Sequence, residues 1–155
     1  MPLEIERKFL VNGDAWRRQA GRKAHFRQGY LAGGAGGSVR VRVVADKATL
    51  NIKSATVGVE RLEFEYPIPI AEGRQILDSL CMRPLIEKTR YFVDYAGKTW
   101  EVDEFEGDNA GLIVAEIELT QAHEAFELPA WAGEEVSYDA RYYNSSLVKN
   151  PYGSW

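Results

Sequence analysis

Apolar and polar residues alternate with a period of two along most of this chain. Leu3, Ile5 and Phe9 fall on one side of the first segment, with Glu4, Glu6 and Lys8 on the other. The same alternation returns in Val39, Val41 and Val43 against Arg40 and Arg42. It returns again in Leu62, Phe64 and Tyr66 against Glu63 and Glu65, and in Ile113, Ala115, Ile117 and Leu119 against Glu116 and Glu118. A spacing of two puts each set on one face of an extended strand. The pattern predicts strands over 3–11, 25–32, 39–45, 50–53, 59–67, 85–95, 99–105 and 113–120. Turns fall at Gly33–Gly37, Asp46-Lys47, Ala96-Gly97-Lys98 and Gly107–Gly111. Helical spacing predicts helices from Asp14 to Ala24, from Ile70 to Leu80 and from about Asp139 to Lys149, with a short one near Gln121–Phe126. About eight strands joined mostly by hairpins favour an antiparallel sheet closed on itself over a parallel α/β sheet.

The polar face is unusual in its chemistry. Glu and Lys are poor strand formers, and an ordinary wet face is rich in Ser and Thr. Here charged pairs stand at i and i+2, and their signs are segregated by strand: Arg40/Arg42 and Lys88/Arg90 against Glu63/Glu65, Glu101/Asp103 and Glu116/Glu118. Like charges so close repel unless something of opposite sign sits between them. With Lys8 and Lys53 the face holds six bases; with Glu4 and Glu6 it holds eight acids, a balance of −2. Two divalent cations would turn that into +2, enough to hold a linear polyanion. Carboxylate ligands without His or Cys clusters point to Mg²⁺ or Mn²⁺. Arg as a fork and Lys as a point charge suit phosphate oxygens.

At 155 residues the chain is expected to be one domain. Its net charge of −4 argues against a nucleic-acid binder, and no apolar run reaches the roughly 20 residues that span a bilayer. The lone Cys81 suits a reducing compartment and a buried place. The first strand begins at residue 3, which leaves no room for a secretory leader, so a cytoplasmic protein is expected. The glycines at 33–37 lack the Lys-Ser/Thr of a phosphate-binding loop and read as a hairpin turn. Neither His25 nor His123 is placed for chemistry. The four tryptophans read as anchors of packing.

These motifs resemble the CYTH superfamily, the triphosphate tunnel metalloenzymes. The E-x-E-x-K signature stands as Glu4-Ile5-Glu6-Arg7-Lys8. It is followed in order by Val39–Arg42, Leu50–Lys53, Glu60–Glu65, Lys88–Tyr91, Glu101–Phe105, Glu116–Glu118 and Tyr142–Leu147. The resemblance implies an eight-stranded antiparallel β-barrel with a hydrophilic tunnel, apolar faces turned outward and partly covered by helices. It implies that Lys8, Arg40, Arg42, Lys53, Lys88 and Arg90 hold a phosphate chain. Glu4, Glu6, Glu116 and Glu118 would bind metal, with Glu63, Glu65 and Asp103 near it. Lys8, Glu4, Glu6 and Tyr30 are the expected catalytic set. Tyr30 shares a strand face with Gln28 and is weighed equally between the tunnel and packing. Tyr142 and Asn144 are expected to pack and cap.

The implied reaction is metal-dependent hydrolysis of inorganic tripolyphosphate to pyrophosphate and phosphate. Two ions assist in-line attack of water on a terminal phosphorus. A nucleoside or thiamine triphosphatase, a class IV type adenylate cyclase and a non-catalytic polyphosphate-binding module are the alternatives. No segment obviously forms a nucleoside pocket. The expected partner is a small triphosphate substrate, with no nucleic acid and no membrane, and a homodimer is left open.

Overall fold

A computed structural model describes residues 3–34, 36–55 and 57–155. Its strands are β1 (Leu3–Val11), β2 (Ala20–Gly34), β3 (Gly37–Val44), β4 (Lys47–Lys53) and β5 (Glu60–Ile68), followed by β6 (Ile86–Tyr95), β7 (Lys98–Phe105), β8 (Ile113–Glu118) and β9 (Ala132–Glu135). The helices are α1 (Trp16–Gln19), α2 (Ile70–Ser79) and α3 (Asn144–Lys149). All strand pairs are antiparallel, in the order β5-β4-β3-β2-β6-β7-β8-β1-β9, and β1 also pairs with β5. That last pairing closes an eight-stranded barrel. The short β9 continues the same edge of β1 beyond β5, through Phe9↔Glu135 and Val11↔Ala132.

The core lies outside this barrel. Trp100 and Trp131 meet edge to face at 5.5 Å between ring centroids, in a buried cluster with Phe9, Trp16, Val102 and Ile117 among others over β1, β7 and β8. Leu77 and Gly73 of α2 are buried, and Leu77 joins Val41, Val43 and Ala48 in a second cluster. A third forms where Leu147 and Val148 of α3 meet Ile86, Phe105 and Val114. Small barrels normally fill their interior with side chains. Here burial on the outer face leaves the inner face free for charge, as the alternation requires.

Three expected elements differ. The helix over 14–24 shrinks to the four residues of α1, and the chain is already in β2 at Ala20. Residues 20–24 pair with β6 (Ala20↔Val93, Ala24↔Arg90), and β2 gains β3 on its other edge from Phe26 onward, so the ladder outweighs the helix preference of Arg, Gln and Ala. No helix forms at 121–126, where a turn leads into irregular chain. The C-terminal stretch is split into a single 3₁₀ turn, Ala140–Tyr142, and α3. Of the glycine turn, Gly33 and Gly34 belong to β2 and pair with Ser38 and Gly37, while Ala35 lies outside the described residues. Gly37 has φ +145°, and a Cβ there would stand 2.4 Å from the Lys53 carbonyl oxygen.

Candidate active site

The barrel encloses a cavity of about 430 Å³. Its lining includes Glu4, Glu6, Lys8, Tyr30, Arg40, Arg42, Lys53, Glu63, Glu65, Lys88, Arg90, Glu116 and Glu118. Side chains from strands far apart in sequence thus converge because each is on the even or odd register that faces inward. Arg61 also lines the cavity: it stands opposite Glu4 where β5 closes on β1, and it shares the parity of Glu63 and Glu65. Asp103 does not reach the lining. Its carboxylate is fully buried between Lys88 and Arg90, at 2.7 Å from Lys88 Nζ and 2.7 Å from Arg90 Nε. With Arg61 included and Asp103 withdrawn, the wall carries seven bases and seven acids, so the expected balance of −2 becomes zero.

The acids stand on β1, β5, β7 and β8. Glu6 stands directly opposite Glu118, and Glu116 directly opposite Glu101. Glu4 is pushed up to about 8, first by burial, then by its hydrogen bond with Glu63 and by the Glu6 charge. Glu6 is pushed up to about 7 by burial and then by Glu116. Burial also acts on Glu63 and Glu116, yet both fall below the ordinary carboxylate value. Glu63 falls to about 2 through its hydrogen bond with Glu4 and the charges of Lys53 and Arg40; Glu116 falls because Lys8, Arg90 and Lys88 surround it.

Five of the seven bases stand on β3, β4 and β6, with Lys8 on β1 and Arg61 on β5. Lys88 is 1 % exposed, and burial pushes its ammonium down to about 7 against the pull of Asp103. Arg42 is lowered to about 9 by burial and by its neighbours Arg40 and Arg90. Lys53 reaches Glu4 at 3.3 Å and Glu63 at 3.7 Å. Arg40 is 4 % exposed, and its Nε and Nη2 are buried with no hydrogen-bond partner among the described residues; its one carboxylate neighbour, Glu63, lies 3.8 Å away. Buried guanidinium N–H groups without acceptors are costly, so this geometry fits an anion.

Sequence patterning misses four polar contributors: Gln28, Asn51, Ser137 and Asn144. Asn51 is fully buried and donates to Glu63 and Glu65 at 3.1 and 2.8 Å. Its inward parity with Lys53 was a usable signal. Lys8 donates to the Tyr142 carbonyl oxygen at 3.2 Å, and its backbone N–H donates to Ser137 Oγ. Outside the lining, half-exposed His25, Glu87 and Glu106 place ligand atoms within 4.8 Å of one another on the outer face of β2 and β6. Among the described residues no helix is long and apolar enough to cross a membrane.

Comparison with known proteins follows the same lines. The CYTH domain family matches residues 2–149. An inorganic triphosphatase of Acetivibrio thermocellus is 51 % identical over 152 residues, covering 98 % of this chain and 97 % of that protein. One of Nitrosomonas europaea is 34 % identical over 153 residues, covering 94 % and 96 %. The crystal structure of the inorganic triphosphatase NE1496 superposes with a TM-score of 0.68 at 32 % identity, over 94 % of this chain and 93 % of that one. The PH1012 protein of Pyrococcus horikoshii, at 17 % identity and TM-score 0.60 over 77 % and 80 %, shares the fold alone. An outward-cored antiparallel barrel, an inward wall of paired charges and these matches across nearly the full chain place it in the CYTH family.

Proposed function

We propose that this chain hydrolyses inorganic tripolyphosphate to pyrophosphate and phosphate inside the barrel, and that it does so with Mg²⁺ or Mn²⁺, two ions per site. The observation that carries this reading is Arg40, a cavity-lining guanidinium with two buried nitrogens that have no hydrogen-bond partner among the described residues, in a wall that carries six further bases. The named activity of relatives that match end to end supports the substrate.

The carboxylates fit a divalent ion. Glu6 opposes Glu118, an arrangement that repels without a cation between them, while Glu101 and Glu116 share the Arg90 guanidinium at 2.6 and 3.8 Å. Burial and mutual repulsion hold Glu4 and Glu6 partly protonated near neutrality, as expected of ligands lacking their cation. Glu4, Glu6, Glu116 and Glu118 would hold the metal, with Glu63 and Glu65 adjacent. We leave Asp103 out of that set, since Lys88 and Arg90 donate to its oxygens. Bound there, such ions supply polarisation of phosphoryl oxygens and an activated water.

The protein's own groups do the rest. Arg40, Arg42, Lys53, Lys88 and Arg90 grip the phosphate oxygens and stabilise the charge that builds on the leaving oxygen. Asp103 fixes Lys88 and Arg90 in place, so they meet that charge with little reorganisation. Lys8, Glu4, Glu6 and Tyr30 face the reacting phosphate. Tyr30 combines both expected roles, since it lines the cavity and belongs to the apolar cluster of Ile86 and Phe105.

A second reading has one observation in its favour. A side cavity of about 240 Å³ adjoins the tunnel and shares Tyr30, Ser38, Arg61, Tyr143 and Ser145 with it; Val57 and Met82 give it apolar walls. Such a space suits the organic part of a nucleoside or thiamine triphosphate, or of ATP in a cyclase. Product analysis on tripolyphosphate, ATP and thiamine triphosphate with each metal decides. Preferred release of phosphate from tripolyphosphate supports the first reading. Cyclic AMP from ATP overturns it, and tight binding of long polyphosphate without turnover replaces the enzyme with a binding module.

A further inference from the structure

Asn144 opens α3 yet lines the cavity between strands that lie far from it in sequence. Its Oδ1 accepts two hydrogen bonds, from Lys88 Nζ at 3.1 Å and from Gln28 Nε2 at 3.0 Å. Two donors on one oxygen fix the amide's orientation: turned over, the NH₂ group would face both of them. Nδ2 is therefore the atom of this side chain left to serve the cavity, and it has no hydrogen-bond partner among the described residues.

Gln28 is fully buried, and its Oε1 accepts from Arg42 Nε at 2.8 Å. The contacts form one continuous run: Arg42, Gln28, Asn144, Lys88, Asp103, Arg90. It joins β3, β2, α3, β6 and β7 and ties three of the phosphate-suited cations together. An ammonium has three N–H donors. Asp103 and Asn144 take two of those on Lys88, which sets the direction of the third.

We propose that Asn144 is a further substrate-binding residue, donating from Nδ2 to a phosphate oxygen while its Oδ1 aims Lys88, and that Gln28 is the positioning residue that holds Asn144 and Arg42 in register. The inference rests on the tunnel as the triphosphate site. It gives the C-terminal helix a part in substrate recognition that packing and capping alone would not.

The test compares N144D, N144A and Q28M by steady-state turnover of tripolyphosphate, by calorimetric binding of tripolyphosphate and by thermal unfolding. N144D keeps an acceptor for Lys88 and Gln28 but presents an anionic oxygen where the donor stood. Its KM and Kd for tripolyphosphate rise about tenfold or more, with thermal stability close to that of the unaltered protein. N144A lowers kcat/KM by about tenfold to a hundredfold, and Q28M lowers kcat with a smaller change in KM. Unchanged KM and Kd in N144D overturn the phosphate contact. Unchanged kcat in Q28M overturns the positioning role. Should the unaltered protein bind tripolyphosphate without hydrolysing it, the proposed reaction fails, while the Kd of N144D still decides the Asn144 contact.

Discussion

Glu6 and Glu118 face each other across the β1–β8 ladder, both lining the tunnel, with no residue between them in the register. Directly opposed like charges destabilise a sheet. Glu6→Gln removes that repulsion, so without metal it is expected to raise stability, by up to about 1 kcal/mol. In the presence of Mg²⁺ the order reverses, because the variant has lost a ligand and gains less from the ion. Thermal unfolding with and without Mg²⁺ checks both signs; a variant less stable than its parent in the absence of metal would contradict the account.

Removing a ligand and removing a grip on substrate leave different kinetic marks. Glu4→Gln and Glu116→Gln are expected to cut kcat by about a hundredfold with a smaller change in KM, whereas Arg42→Ala damages both parameters. Steady-state kinetics on tripolyphosphate provide the check, and full turnover in both Gln variants would remove these carboxylates from the metal site.

Metal binding is expected to release protons near neutral pH. Glu4 titrates at about 8 and Glu6 at about 7, both raised above the ordinary 4.5, first by burial. At pH 7 they carry protons that a divalent ion must displace; by pH 9 those protons are gone. Calorimetric titration of Mg²⁺ in two buffers of different ionisation enthalpy should show proton release at pH 7 and little at pH 9. The same shifts make these two groups favour the metal-free fold most below pH 4.5. That contribution is lost as pH rises through about 7 to 8. Lys88, lowered to about 7 from 10.5, acts oppositely, adding stability as pH rises from about 7 to 10.5.

Gly73 offers a test of the outer core. In a helix interior Gly→Ala ordinarily stabilises by about 1 kcal/mol. Here a Cβ would lie 2.5 Å from Ala48 Cβ on β4, so Gly73→Ala is expected to destabilise by about 1–3 kcal/mol. Adding Ala48→Gly should restore much of the loss, which denaturant unfolding of the single and double variants would measure.

The alternation of charged and apolar residues was enough to predict a closed sheet with its charges inside. A period of two leaves each strand only two faces, and Val41, Ile117 and their like could be buried on only one of them. That logic placed Lys8, Arg40, Arg42, Glu63 and Glu116 on the cavity wall before any coordinates. Arg61 shares that parity with Glu63 and lines the same wall. The alternation could not decide Asp103, which shares the parity of Glu101. Whether an inward carboxylate meets the cavity or is enclosed by its neighbours depends on how Lys88 and Arg90 fold around it. Nor could local preference foresee that the Arg- and Ala-rich stretch after Trp16 would become a strand, since its reason lies in partners on β6. Asn144 and Gln28 lie 116 positions apart and carry no charge, so nothing along the chain marks them as neighbours. Periodicity fixes which face a residue presents. Only the closure of the barrel, which brings distant strands and the C-terminal helix within hydrogen-bonding reach, decides what that face meets.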